Sequence, residues 1–187
     1  MKEKKRNGKK LLKGGLQRLA VCALLSALSI VCGKYLAINL GPVMRFSFEN
    51  LPILLAGISM GPVSGALVGL VADLLGCVLV GYTVNPLVTL GAVSIGLIGG
   101  LSYRLTGKLP FAVRVCASVV LAHLTGSVLI KTWGLAAFYD MPFYLLMAWR
   151  ALNYLIVGSA EFGLLYFILK NRAIKRLLDA MDGGTRA

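Results

Sequence analysis

Gly41-Pro42-Val43-Met44-Arg45-Phe46-Ser47-Phe48-Glu49-Asn50-Leu51-Pro52 is a short polar interruption, carrying an arginine and a glutamate, between two long apolar runs. Beside membrane spans, irregular backbone is tolerated only where protein buries it or a cavity borders it, because an unsatisfied backbone group in hydrocarbon costs several kcal/mol. Arg45 is therefore expected to belong to a site. The competing use is an interfacial connector whose arginine anchors to lipid headgroups.

The remainder of the chain supports the membrane reading. Hydrophobic residues make up 58% of the 187 residues and charged ones 14%, and the mean hydropathy is +0.81. At roughly 20 residues per helical span, about six spans and one domain fit this length. The apolar runs are continuous rather than alternating, which excludes a β-barrel. The net charge of +13 collects largely next to the runs, where it sets orientation and attracts anionic lipid rather than nucleic acid. Cys22, Cys32, Cys77 and Cys116 lie inside apolar runs without metal-ligand spacing and read as packing residues. The first run, from Leu19 to Ile38, is too long for a signal-peptide core and lacks a small-residue cleavage pattern, so it is expected to stay as the first span.

Working outward from the interruption gives an all-α integral membrane bundle of six helices with both termini cytoplasmic. Residues 1–18 form a basic cytoplasmic tail, 19–170 the transmembrane domain and 171–187 a second basic tail. Helix 2 runs from about Phe48 to the Gly61-Pro62 break, a length of about 20 Å that falls short of a bilayer core, so it is expected to be tilted or enclosed by protein. Helix 3 covers Pro62 to Val80, helix 4 Leu87 to Tyr103, helix 5 Phe111 to Ile130 and helix 6 Phe143 to Leu169. Gly81 to Pro86 is the second external loop, and Lys131 to Pro142, rich in polar and aromatic residues, the third.

Small residues recur at helix-packing spacing. Ala20, Ala23 and Ala27 share one face of helix 1, either packing within the bundle or docking another membrane subunit. Gly57, Gly61, Gly65 and Gly69, and Ala92, Gly96 and Gly100, read as internal packing. Catalytic signatures are missing: Gly107-Lys108 is followed by Leu109 rather than completing a phosphate loop, and the one histidine, His123, rules out paired-histidine zinc chemistry. The chain is therefore not expected to be an enzyme, nor to use ATP or a metal itself. The remaining polar groups in the spans are Asp73, His123, Arg150, Asn153 and Glu161. Arg150 and Asn153, three residues apart on one helical face, read as ligand contacts, and Asp73, His123 and Glu161 as structural partners of neighbouring polar groups.

The basic tail, the Ala23/Ala27 pair, the run Gly41 to Phe48, the element Leu51 to Ile58 continuing through Gly61-Pro62-Val63-Ser64-Gly65-Ala66, and Ala72-Asp73-Leu74-Leu75-Gly76 together resemble the folate-specific S-components of energy-coupling factor (ECF) vitamin transporters. The resemblance covers residues 16–170. It implies a six-helix subunit that captures a vitamin from outside, docks through Ala23 and Ala27 on a transmembrane coupling subunit driven by two cytoplasmic ATPases, and topples in the membrane to release its cargo. No phosphate loop is present, which fits that division of labour independently of the resemblance.

Folate joins a dianionic glutamate tail to an aromatic linker and a hydrogen-bonding pterin. The external half offers Arg45, Lys131 and Arg150 as cations, Phe46, Tyr82, Trp133 and Tyr139 as ring platforms, and Asn85, Asn153 and Asp140 for the pterin edge. An arginine fork pairs bidentately with a carboxylate. Riboflavin, thiamine or biotin would also use aromatic faces, whereas the excess of external cations favours an anionic ligand. A small membrane enzyme would need a base or metal cluster that this sequence does not supply, and a purely structural membrane protein would have no use for Arg150 and Asn153.

Overall fold

The computed structural model describes residues 2–40, 44–139, 142–172 and 174; for 2–14, 39–40, 44–45 and 139 it describes the backbone alone. Helix α1 covers Lys2–Ile30 and continues as wide π turns over Val31–Tyr35. Strands β1 (Ile38–Leu40) and β2 (Met44–Phe46) pair antiparallel, with Asn39 opposite Arg45. Then come α2 (Asn50–Met60), α3 (Pro62–Val80), α4 (Pro86–Leu105) and α5 (Phe111–Ala122). A second π stretch, His123–Ile130, joins α5 to α6 (Lys131–Tyr139), and α7 (Phe143–Lys170) closes the described chain.

Among the described residues five helical segments are long and apolar enough to cross a membrane: Gly15–Tyr35, Pro62–Val80, Pro86–Leu105, Phe111–Phe138 and Phe143–Lys170. The sixth helix, α2, falls short of a full span, and its eleven residues extend only about 16 Å. It survives inside the membrane because protein surrounds it. Ile53, Leu54, Ala56 and Met60 are almost completely buried, and α2 contacts α1, α3, α4, α5 and α7. The outer surface is the reverse of a soluble protein's, with Leu24, Val78, Leu155, Phe167 and many other large apolar side chains exposed where lipid solvates them.

Two parts of the sequence-based topology need correction. The first span was expected to run to Ile38, but its helix ends at Tyr35, and Ile38–Leu40 forms a strand that pairs with Met44–Phe46. The interruption is thus partly a hairpin, whose pairing satisfies backbone groups that an irregular loop would leave open. The segment Lys131–Tyr139, expected as the third external loop, is helical and continuous with α5 through the π turns. Polar residues here signal a buried network rather than solvent, since Lys131 and Thr132 are both buried.

Glycine sets the spacing of the centre. A Cβ on Gly96 would strike the backbone of Gly65, one on Gly57 the carbonyl of Gly96, and one on Gly100 that of Gly57, so α4 lies backbone-to-backbone on α2 and α3. Gly61, at φ 102°, joins α2 to α3 in a conformation that other residues rarely adopt. Replacing Gly96 with valine should therefore force these helices apart at a cost of at least about 1 to 3 kcal/mol. Gly163→Ala, where a Cβ meets open space, should be neutral or slightly stabilising. Thermal unfolding in detergent compares the two.

Candidate binding site

At the hairpin end of the bundle, four charged side chains converge from the π turns of α1, the residue before α2, α3 and α6. Lys131, at the head of α6 and almost fully buried, donates to Glu49 Oε1 at 2.9 Å. Glu49 precedes α2 and is itself fixed through its main chain, whose carbonyl accepts from Ser29 Oγ at 2.6 Å. Across the same space, Thr89 Oγ1 of α4 donates to Asp73 Oδ2 of α3 at 2.6 Å. Lys34, from the π turns of α1, places its ammonium 5.4 Å from the centre of the Tyr82 ring. Ser29, Lys34, Glu49, Asp73 and Lys131 border a cavity of about 20 Å³. This is room for about one water molecule.

The local sequence makes space for these charges. A Cβ at Gly33 would lie 2.8 Å from both Cβ and Oε2 of Glu49; one at Gly76 would lie 2.9 Å from Lys34 Cε; and one at Gly91 would strike the stem of Lys131. Sequence reasoning singled out other glycines for helix packing and passed over these three. The long spacing between Glu49 and Lys131 hid their pairing.

A second polar seam runs between the π stretch and α7. His123 Nε2 lies 2.5 Å from Glu161 Oε2, and His123 Nδ1 lies 3.2 Å from Ser127 Oγ. With the proton on Nε2 facing the carboxylate, Nδ1 accepts the Ser127 hydroxyl. The imidazole stacks on Tyr154 at 4.9 Å. Arg150 Nε donates to the Ser127 carbonyl at 3.2 Å, and Arg150 Nη2 reaches the Tyr154 hydroxyl at 3.5 Å. Strand β2 contacts α7, so the hairpin sits beside the helix that carries Arg150 and Asn153.

The other expected site residues are distributed unevenly. The backbone of Arg45 lies in β2, whereas its side chain, like that of Tyr139, is outside the described residues, as is the whole of Asp140. Phe46 is half-buried, and Asn153 is buried on α7. Asn85 caps α4, accepting from Leu87 N at 3.0 Å and donating to the Gly134 carbonyl at 2.9 Å, so it ties the loop before α4 to α6. Tyr82 is exposed and lies beside Lys34, while Trp133 is exposed and borders an apolar groove with Ile130 and Phe143. Asn50, which the sequence reading did not consider, is fully buried at the head of α2, and neither of its amide atoms has a hydrogen-bond partner among the described residues. Ala20, Ala23 and Ala27 are all exposed on α1.

The family model for the substrate-specific component of ECF transporters matches residues 17–177. The chain belongs to this family. It is a transporter subunit rather than an enzyme, and a multi-pass membrane protein. Among solved structures the S-component fold is similar to that of FolT bound with folic acid, with a TM-score of 0.66 and 23% identity over 80% of this chain and 90% of that one. It is likewise similar to the S component of a bacterial ECF transporter, with a TM-score of 0.63 and 19% identity over 88% of this chain and 97% of that one. No curated protein matches the sequence.

In this S-component the His123–Glu161 pair joins the π stretch to α7 through a contact that neither water nor lipid can replace. Removing one partner of such a buried pair leaves the other uncompensated, typically at 3 to 5 kcal/mol, whereas apolar replacement of both is often tolerated. Glu161→Ala should accordingly lower stability by about 3 kcal/mol or more, and His123→Leu with Glu161→Met much less. Thermal unfolding of the three proteins in detergent reads the difference.

Proposed function

We propose that this S-component captures folate, or a closely related anionic vitamin, at the hairpin end and delivers it to an ATP-driven coupling module. The observation that carries the reading is the contact of α7, the helix that bears Arg150, with the hairpin strand that includes Arg45, at the end of the bundle where Lys34 and Lys131 border a small polar cavity. Two arginines on these neighbouring elements suit, by composition, a ligand with two carboxylates. Asn153 and the unpartnered amide of Asn50 offer donors and acceptors for a pterin edge, and Phe46 a ring face. The fold-level likeness to FolT, whose solved structure contains folic acid, adds support from a distant relative.

The hairpin end faces outward in this reading, and the opposite end lies on the cytoplasmic side of a bacterial membrane. That opposite end carries Arg18, Arg104, Lys108, Arg114, Lys170 and Arg172. The three acids with described side chains, Glu49, Asp73 and Glu161, are engaged elsewhere with Lys131, Thr89 and His123. Such asymmetry follows the positive-inside rule. The exposed Ala20, Ala23 and Ala27 face of α1 serves as the docking surface for the transmembrane coupling subunit, since small side chains let a partner helix approach closely. Two cytoplasmic ATPases supply the ATP chemistry in this scheme, and this chain needs no cofactor of its own.

Calorimetry on the purified chain in detergent, without ATP, tests the substrate. Folic acid should bind, and clear binding of a cationic vitamin with none of folic acid would overturn the assignment. Arg45→Ala should weaken folic acid by about ten- to a hundredfold, as expected for loss of a charge-assisted bond, with Arg45→Lys restoring part of it. Wild-type affinity in Arg45→Ala, with no bilayer present, would assign that arginine to headgroup anchoring instead. Ala23→Leu or Ala27→Leu should leave this affinity intact and abolish uptake in cells that contain the coupling module. Equal loss of binding and uptake would place the alanine face inside the bundle.

A further inference from the structure

The cluster around Lys131 has a feature that ligand capture alone does not require, namely that its most buried cation is already covered by a carboxylate of the chain itself. Lys131 is only 5% exposed in its side chain, while its partner Glu49 is 25% exposed, so the acid is the more accessible member of the pair. Glu49 occupies the position before α2 without capping it, and its carboxylate reaches instead to a residue 82 positions away. The adjoining cavity of about 20 Å³ is too small for a carboxyl group beside Glu49. An incoming carboxylate has to replace it.

Charge and connectivity favour such a replacement. Lys34, Lys131, Glu49 and Asp73 together are neutral, and withdrawing Glu49 leaves one net positive charge in a site of low dielectric. A single external carboxylate restores the balance. Glu49 also lies three residues beyond β2, so its displacement bears directly on the hairpin. Both lysines arise at π stretches, Lys34 within one and Lys131 at the end of the other, and such wide turns recur at functional sites.

We propose that in the ligand-free protein Glu49 occupies the subsite of a ligand carboxylate, and that binding exchanges one carboxylate for the other on Lys131 and so releases the tie that Glu49 makes just beyond β2. This rests on the reading of the chain as a binding subunit for an anionic vitamin. Glu49 is then an internal competitor. It keeps Lys131 paired while the site is empty and excludes ligands that bring no anion to the exchange.

Calorimetry with folic acid and its dimethyl ester, on the full chain in detergent, measures the competition. Glu49→Gln should tighten folic acid by about tenfold and leave the ester unchanged, whereas Lys131→Gln should weaken folic acid by about tenfold. The double variant, which retains a neutral hydrogen-bonding pair, should fold and show no gain. Weakened or unchanged folic acid affinity in Glu49→Gln would overturn the exchange and make the pair a fixed scaffold. Hydrogen exchange on the ligand-free protein separates this outcome from a wrong vitamin. Amides of residues 44–48 should exchange faster in Glu49→Gln than in wild type, and equal rates would overturn the proposal. Faster exchange combined with no folic acid binding by wild type would retain the carboxylate exchange and reject folate as the ligand.

Discussion

A helix of about 16 Å cannot cross about 30 Å of hydrocarbon, and the structure is arranged around the enclosure of α2. Its ends fall within the bundle's thickness, where lipid could not satisfy them. Protein does so instead. Arg18 donates to the Met60 carbonyl at one end, and Gly61 turns the chain directly into α3. At the other end the main chain of Glu49 is held by Ser29 of α1. The contacts of α4 with α2 and α3 through Gly57, Gly65, Gly96 and Gly100 follow from the same constraint, because close backbone approach is the attraction available to helices when lipid is as apolar as leucine.

The enclosed helix also governs where charge can be held. Ammonium and carboxylate groups below the headgroups must be paired, and the pairs found here join elements that are remote in sequence: Lys131 of α6 with Glu49 before α2, and His123 of the π stretch with Glu161 of α7. Glycines opposite Glu49, Lys34 and Lys131 leave the volume these side chains fill. The two ends of the bundle differ for this reason. One holds the Lys131–Glu49 pair and a small polar cavity beneath a hairpin, and the other carries basic side chains around helix ends, with Arg114 over the Tyr103 ring at 4.0 Å.

Hydropathy and punctuation made much of the fold legible. Continuous apolar runs require helices in lipid, and Pro62, Pro86 and Phe111 begin α3, α4 and α5 at or within one residue of where sequence signals place them. Asp73 has the neighbouring polar partner its depth demanded, in Thr89. The segment from Lys131 to Tyr139 was misread because lysine, threonine and tryptophan look like loop composition when their partners are unknown. A buried ion pair makes the same residues compatible with helix.

By itself, then, the sequence determined a helical membrane bundle, the shortness of α2, the asymmetry of its basic residues and a family resemblance, because hydrophobic run length, glycine–proline breaks and net charge are local properties. Only the tertiary structure decided that Lys131 is covered by Glu49, that Gly33, Gly76 and Gly91 make room for charge, that Asn85 ties two segments together, and that Trp133 and Tyr82 point outward. Those facts depend on which helices touch and at what rotation. A sequence separation of 82 residues between two paired charges carries no local signal.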